Sequence, residues 1–276
     1  MNPVIVISGL ADGMGREVAL LYAKKGYSIC GFDIDKKRIE SLQKELKGIG
    51  GEHLISVLDI TDIKGVKKFG DDVLKKFKKV DIVLSNVGNG FFSPFEEVDL
   101  KAAMKSFEVN VIGALAFIQA FLPSMRERRK GKIIVMSSLV GRIPFPFESI
   151  YTGTKFALSG IIESMNYEVS PFGIKVAIIE PAQVATSFAA KIHKLPPAGS
   201  PYRERVKRFI DRDNELIKTA PSPLAAAKTI MKIIEKKTPP FFNQLLFADS
   251  FLMSINRFLP RKVKDFILVS YMHIKA

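Results

Sequence analysis

Short apolar runs alternate with longer stretches of helical period, and no other feature restricts the possible folds of this chain so strongly. The runs Val4–Ile7, Tyr27–Phe32, His53–Leu58, Val80–Leu84, Lys132–Ser137 and Ile174–Ile179 read as strands, with a seventh near Phe242–Phe247. They lack the polar alternation of a half-solvated sheet, so both faces should be covered, as in parallel strands joined by crossover helices. Helices are expected over Gly13–Lys25, Lys36–Gly48, Asp62–Phe77, Leu100–Arg129 and Ser149–Ser170. The expected fold is α/β, a doubly wound and mostly parallel sheet of about seven strands.

No linker rich in proline or serine divides the chain, so residues 1–276 are read as a single domain. Residues 1–185 form its core, and 186–276 supply a substrate loop, cap helices and a basic tail. Pro196-Pro197, Pro221, Pro223 and Pro239-Pro240 punctuate helical pieces in that last part.

Composition narrows the setting. With 47% apolar residues the chain can bury a sizeable core without staples. Cys30 is the single cysteine and cannot close an intramolecular disulfide, so a reducing cytoplasm is expected. The longest mostly apolar run, Val109–Leu122, is 14 residues and contains Asn110 and Gln119, short of the ~20 that cross a bilayer. No basic region precedes Val4–Ile7, so no signal peptide is expected.

Charge is unevenly spread. The formal net charge is +14, and from Thr186 to Ala276 there are 17 Lys+Arg against 7 Asp+Glu, which puts +10 in the last third. Such a surface attracts phosphate-rich partners. No nucleic-acid-binding motif accompanies it, so nucleic acid is not expected.

The segment Ser8-Gly9-Leu10-Ala11-Asp12-Gly13-Met14-Gly15 follows the first strand and opens the first helix. There backbone amides and the helix dipole can hold a pyrophosphate. Asp33 ends the second strand 18 residues after Gly15, near the ~20 expected of an acid that accepts hydrogen bonds from an adenosine ribose. A carboxylate there repels a 2′-phosphate, which favours NAD over NADP, and Asp12 points the same way. Asp33 could instead only cap the next helix, with Lys36, Lys37 and Arg38 left to meet a phosphate. Asp59 could bond the adenine or cap a helix. Ser85-Asn86-Val87-Gly88 ends the fourth strand at the edge where open α/β sheets bind ligands, or is an ordinary turn.

Tyr151 and Lys155 are spaced i, i+4 on one helix face, with Ser138 at the end of the fifth strand and Asn110 upstream. A free tyrosine titrates near pH ~10, so it is a poor base unless a cation stabilises its phenolate. Lys155 and the nicotinium ring of a bound cofactor are the expected sources of that charge.

With these residues in view the chain resembles the short-chain dehydrogenase/reductase family over roughly Val4 to Ser187. The resemblance is carried by the glycine loop, Asp59, Asn86, Asn110, Ser138, Tyr151 and Lys155. Pro181-Ala182-Gln183-Val184-Ala185-Thr186 is similar to the family's Pro-Gly-x-Val-x-Thr segment. Ser8, Ser85, Val87 and Ala182 depart from the commoner residues, and Ala182 should tighten the nicotinamide pocket. The resemblance implies a Rossmann fold, NAD or NADP, alcohol–ketone interconversion and a homo-oligomer. It implies Tyr151 as acid/base, Lys155 on the nicotinamide ribose, Ser138 polarising the carbonyl and Asn110 positioning a relay water. It further implies that Ser8, Gly9, Asp12, Gly13, Met14, Gly15, Asp33, Asp59, Ile60, Asn86, Val87, Gly88, Pro181, Val184 and Thr186 surround the cofactor with Tyr151 and Lys155.

Phe91-Phe92-Ser93-Pro94-Phe95 and the run from Arg142 to Phe147 flank this site. Phe91, Phe145, Phe147 and Phe188, with Ser138 and Tyr151, are expected around a hydrophobic alcohol or ketone of retinoid, steroid or fatty type, though core packing explains any single Phe equally. His53, His193 and His273 lack ligand spacing and suggest no metal. The tail repeats Leu252, Ile255, Phe258, Leu259, Val263, Phe266, Ile267 and Ile274 among Arg257, Arg261, Lys262 and Lys264. It could lie peripherally on an anionic membrane surface, contact a subunit or close the active site. The reading from another class is a catalytically silent dinucleotide sensor or scaffold on the same fold.

Overall fold

The structure is a computed structural model that describes residues 2–186, 188, 192, 194–246 and 258–274. Leu252, Ile255, Arg257, His193 and Phe247 lie outside the described residues. The strands are β1 (Val4–Ser8), β2 (Ser28–Asp33), β3 (Leu54–Val57), β4 (Ile82–Ser85), β5 (Gly131–Met136), β6 (Ile174–Ile179) and β7 (Phe242–Asn243). They pair in parallel in the order β3-β2-β1-β4-β5-β6-β7. The order reverses between β1 and β4, which opens a crevice at their carboxyl ends.

Both faces of the sheet are covered, which is why its strands carry unbroken apolar runs. Successive side chains point to opposite faces. Val6, Phe32, Val83 and Val135 enter one cluster, and Ile5, Ile7, Leu84 and Ile134 enter the other. The first cluster packs under α3 (Ile63–Phe77), α5 (Ala114–Gln119) and α7 (Ser149–Val169). The second packs under α1 (Gly13–Lys24), α2 (Lys36–Ile49) and α9 (Pro223–Glu235). Several helices begin at a short polar residue that satisfies a free helix amide. Asp35 accepts from Arg38 N at 3.1 Å, Asp62 from Gly65 N at 3.0 Å and Ser222 from Ala225 N at 3.2 Å.

Two expected elements differ. Instead of one helix over Leu100–Arg129, the chain forms α4 (Leu100–Phe107), a wide π-helical turn over Glu108–Gly113, α5, and α6 (Leu122–Glu127). Pro123 sits in the first turn of α6, where its missing N–H has no helical partner to lose. β7 is shorter than the run Phe242–Phe247, because Asn243 Nδ2 turns to the Ile178 carbonyl (3.3 Å) and Pro240 carbonyl (2.7 Å) and Gln244 Nε2 donates to Glu180 Oε2 (2.6 Å).

Of the later helices, α9 packs on the sheet face, whereas α8 (Arg203–Thr219) and α10 (Arg261–Tyr271) meet over the strand ends. There a third apolar cluster gathers Leu139, Val140, Phe145, Phe147, Tyr151, Val206, Phe209 and Met272.

Candidate active site

The loop after β1 is built for close approach. Gly9 and Gly13 have φ of +68° and +53°, a region that favours glycine, and a Cβ on Gly15 would lie 2.2 Å from the Gly9 carbonyl oxygen. Asn86 Nδ2 holds the turn by donating to the Gly9 carbonyl at 2.9 Å. Ser8 Oγ accepts from the amides of Asn86 and Val87 at 3.0 and 3.2 Å. Ser8 and Gly15 are buried and brace the loop from behind instead of lining the cavity.

In front of the loop lies a cavity of about 660 Å³. Gly9, Asp12, Gly13, Met14, Asp33, Asp59, Ile60, Asn86, Val87 and Gly88 line it, and so do Pro181, Val184 and Thr186. Asp33 accepts from the amides of Ala11 (3.2 Å) and Asp35 (3.0 Å). Arg38 also lines this end, ion-paired with Asp12 and, at 3.4 Å, with Asp35. Asp59 accepts from Thr61 N and Oγ1, both at 2.8 Å, and these bonds hold its carboxyl below the usual range. A glycine turn at a helix N-terminus, an acid at the end of β2 and a long crevice together fit a dinucleotide.

At the other end of the cavity Tyr151 and Lys155 project from α7, both buried. Lys155 Nζ donates to the Met136 carbonyl at 3.0 Å and lies 5.7 Å from the centre of the Tyr151 ring. Ser138 hydrogen-bonds the Tyr151 hydroxyl. Burial lowers Lys155 to about 8. Burial, reinforced by the Glu148 carboxyl, raises the Tyr151 phenol, and the Ser138 bond only partly offsets this. Burial thus opposes the acidic phenol expected from the Tyr–Lys spacing, an expectation that also counts on the charge of the nicotinium ring. The Lys155 ammonium is itself desolvated and turned toward a carbonyl.

Asn110 sits in the π-helical turn, fully buried and away from the cavity lining. Its amide is spent on Asn89, Thr154 (3.0 Å) and Ser106 (3.4 Å). Those bonds fix the side chain against the loop that follows β4. A Cβ on Gly88 would stand 3.3 Å from Lys155 Nζ and 3.4 Å from Asn110 Oδ1, so the Gly88–Asn89 loop threads between the two.

Beyond Tyr151 the lining turns apolar, with Phe145, Phe188, Phe209, Ile217 and Met272. Tyr151 and Phe188 stack at 5.8 Å. Phe91 and Phe147, expected at the substrate, pack behind this wall instead; the Phe147 ring lies 5.9 Å from Phe209. The bond from Ser93 N to the Phe147 carbonyl (2.8 Å) ties the two Phe-rich loops together.

Two lining carboxyls were not anticipated. Glu148 is pushed up to about 8 by burial and by Asp213 nearby, and Asp213 accepts from Gln183 Nε2 at 2.9 Å. Glu148 stands three residues before Tyr151, and Asp213 interrupts the apolar i, i+4 stripe of Phe209 and Ile217. A charge centred in such a stripe was the available signal.

The short chain dehydrogenase profile matches residues 3–196. The chain belongs to that family. A 3-ketodihydrosphingosine reductase of Bacteroides thetaiotaomicron is 27% identical over 91% of this chain and 93% of its own. Retinol dehydrogenase 8 of Bos taurus is 29% identical over 86% of this chain and 79% of its own. In structure, a short-chain dehydrogenase/reductase of Burkholderia phymatum solved with NAD superposes with a TM-score of 0.81 at 21% identity, covering 93% of each chain, which shows the shared fold. As a member of this family the chain is an oxidoreductase of CH–OH groups with a nicotinamide dinucleotide, not a silent scaffold.

Proposed function

We propose that the chain interconverts a secondary alcohol and a ketone, or a primary alcohol and an aldehyde, on a bulky hydrophobic substrate, with NAD. The observation that carries this reading is one cavity holding the glycine turn at one end, Tyr151, Lys155 and Ser138 in its middle and a wall of Phe, Ile and Met beyond. Relatives named for retinol and 3-ketodihydrosphingosine support substrates of retinoid or fatty type.

NAD, when bound, accepts the hydride released from the alcohol carbon. Tyr151 takes the hydroxyl proton, Ser138 donates to the substrate oxygen and Lys155 holds the nicotinamide ribose. Burial opposes the phenolate, so the charge of Lys155, with that of a nicotinium ring when bound, would be what makes Tyr151 an effective base. Asn110 acts through Asn89, fixing the loop against Lys155. NAD is favoured over NADP because Asp12, Asp33 and Asp35 outnumber Arg38 at the ribose end, and the guanidinium is already held by two of them.

A narrower reading follows from Glu148 and Asp213. With its carboxyl raised to about 8, Glu148 keeps its proton near neutrality, and a cation between the two carboxyls would displace that proton and pair with both. This favours a substrate with a protonated amine close to its carbonyl. In the same reading the protein works in the cytoplasm as a homo-oligomer.

The test is a panel of hydrophobic ketones, alcohols and amino ketones assayed for absorbance change with each nicotinamide. Turnover of bulky ketones with NADH is expected. Turnover confined to short polar alcohols would overturn the reading.

A further inference from the structure

The last helix presents an apolar stripe to solvent. In α10 and just before it, Phe258 is 82% exposed and Phe266 65%, while Val263, Ile267 and Tyr271 are each above 40%. At ~100° per residue, Val263, Phe266, Ile267 and Tyr271 share an arc of about 140°. Leu268, Val269 and Met272 occupy the opposite face and pack into the cluster around Tyr151. Lys262 and Lys264 fall on the two borders of the exposed stripe, and Arg261 pairs with Asp265 at 2.8 Å within the helix.

The carboxyl end of this helix is anchored. Arg205, Arg208 and Arg212, one side of α8, donate to the carbonyls of Ile274 (3.3 Å), His273 (3.2 Å) and Tyr271 (3.0 Å). The Arg212 guanidinium also lies 5.2 Å over the Tyr271 ring. Cations at a helix carboxyl end oppose its dipole and satisfy its last carbonyls. The stripe is thus displayed by a docked helix whose inner face reaches the cavity through Met272.

We propose that α10 is an interfacial helix that seats this protein on an anionic lipid surface, its Val263–Phe266–Ile267 stripe in the acyl boundary and Lys262 and Lys264 at the headgroups. An apolar stripe bordered by basic residues is the geometry of a helix lying in a membrane interface. A second copy is the weaker occupant. Pairing α10 with α10 across a twofold axis brings together two chains whose last thirds each carry +10. The position also gives the helix a use. A substrate dissolved in the bilayer would meet the cavity on the inner side of the same helix, which rests on the hydrophobic-substrate reading above.

The full chain is sedimented with vesicles of phosphatidylcholine alone and with phosphatidylserine added, at low and high salt. Binding should be at least ~10-fold stronger with phosphatidylserine and fall with salt. Phe266→Ser with Ile267→Ser should reduce it ~10-fold, and Lys262→Glu with Lys264→Glu should remove the salt dependence. Thermal unfolding and turnover of a water-soluble ketone should not change. Absent binding at low salt, or binding indifferent to both double variants, overturns the proposal. So does a dimer-to-monomer change in the Phe266→Ser, Ile267→Ser variant without loss of vesicle binding. Should no hydrophobic ketone be turned over, the substrate reading fails while vesicle binding is judged by itself.

Discussion

Asn110 and Asn89 are joined twice: Asn89 N donates to Asn110 Oδ1 at 2.8 Å, and Asn110 Nδ2 donates to the Asn89 carbonyl at 2.8 Å. A side-chain amide here imitates the pairing of a neighbouring strand and pins the loop beyond β4 where no strand runs. Asn110→Leu leaves a buried N–H and carbonyl without partners, which costs about 1–3 kcal/mol each. A lower melting temperature together with at least ~10-fold weaker dinucleotide binding is expected by calorimetry and fluorescence titration. A melting change without a binding change would remove its positioning role.

Tyr151→Phe keeps the ring, its contact with Phe188 and the shape of the cavity, and removes only the hydroxyl. Turnover should fall by ~10² or more while dinucleotide affinity is retained. Wild-type turnover in this variant would refute the role assigned to the phenol.

The glycine turn predicts opposite outcomes for two similar changes. Gly15→Ala drives a methyl into the Gly9 carbonyl at 2.2 Å and must shift backbone, so the variant should lose stability and dinucleotide binding together. Gly48→Ala meets nothing within 4 Å on an exposed helix turn. It should gain about 0.5–1 kcal/mol in denaturant unfolding without affecting binding.

Asp33→Ser removes one of three carboxylates around Arg38 and should shift the ratio of NADPH to NADH affinity upward by ~10-fold or more, at some cost in stability from the two amides Asp33 accepts. An unchanged ratio in paired titrations would show that cofactor choice is set elsewhere.

Glu148 gives a pH dependence with a definite sign. Its carboxyl titrates at about 8 in the folded chain against 4.5 ordinarily. Between those values the folded chain holds a proton that the unfolded chain has released, so stability falls as pH rises through the window. Glu148→Gln lacks this slope. The melting temperature of the variant relative to the native chain should climb from about pH 5 to about pH 8 and then level off. Parallel curves would mean that Glu148 titrates normally. The same variant should raise KM for an amino ketone and spare its amine-free analogue.

The sheet was legible because its central strands are buried on both faces and therefore write continuous apolar runs; Ile174–Ile179 is recovered to the residue. β7 was overextended because Asn243 and Gln244 spend their amides on neighbours that only the folded chain brings close. The breaks within Leu100–Arg129 follow from winding and packing, which leave little trace in periodicity. At the site, Tyr151 and Lys155 share a helix and their spacing was enough. Glu148 and Asp213 come within electrostatic reach only in the folded chain, and Met272 arrives from still further along it. Phe147, at φ +65°, turns its ring behind the wall, a backbone choice that apolar patterning does not encode.

The wide turn at Glu108–Gly113 fixes the length of its segment. It takes up an extra residue per turn, so α4 keeps its contact with α7 while Phe117 and Ile118 of α5 still face the sheet. Deleting the exposed Ile112 would restore ordinary winding and leave α5 in phase with α4. Phe117 would keep its place in the core, but Asn110 sits inside the widened turn, and its amide would lose its register with Asn89. This stretch should tolerate substitution on its outer face far better than the loss or gain of a single residue.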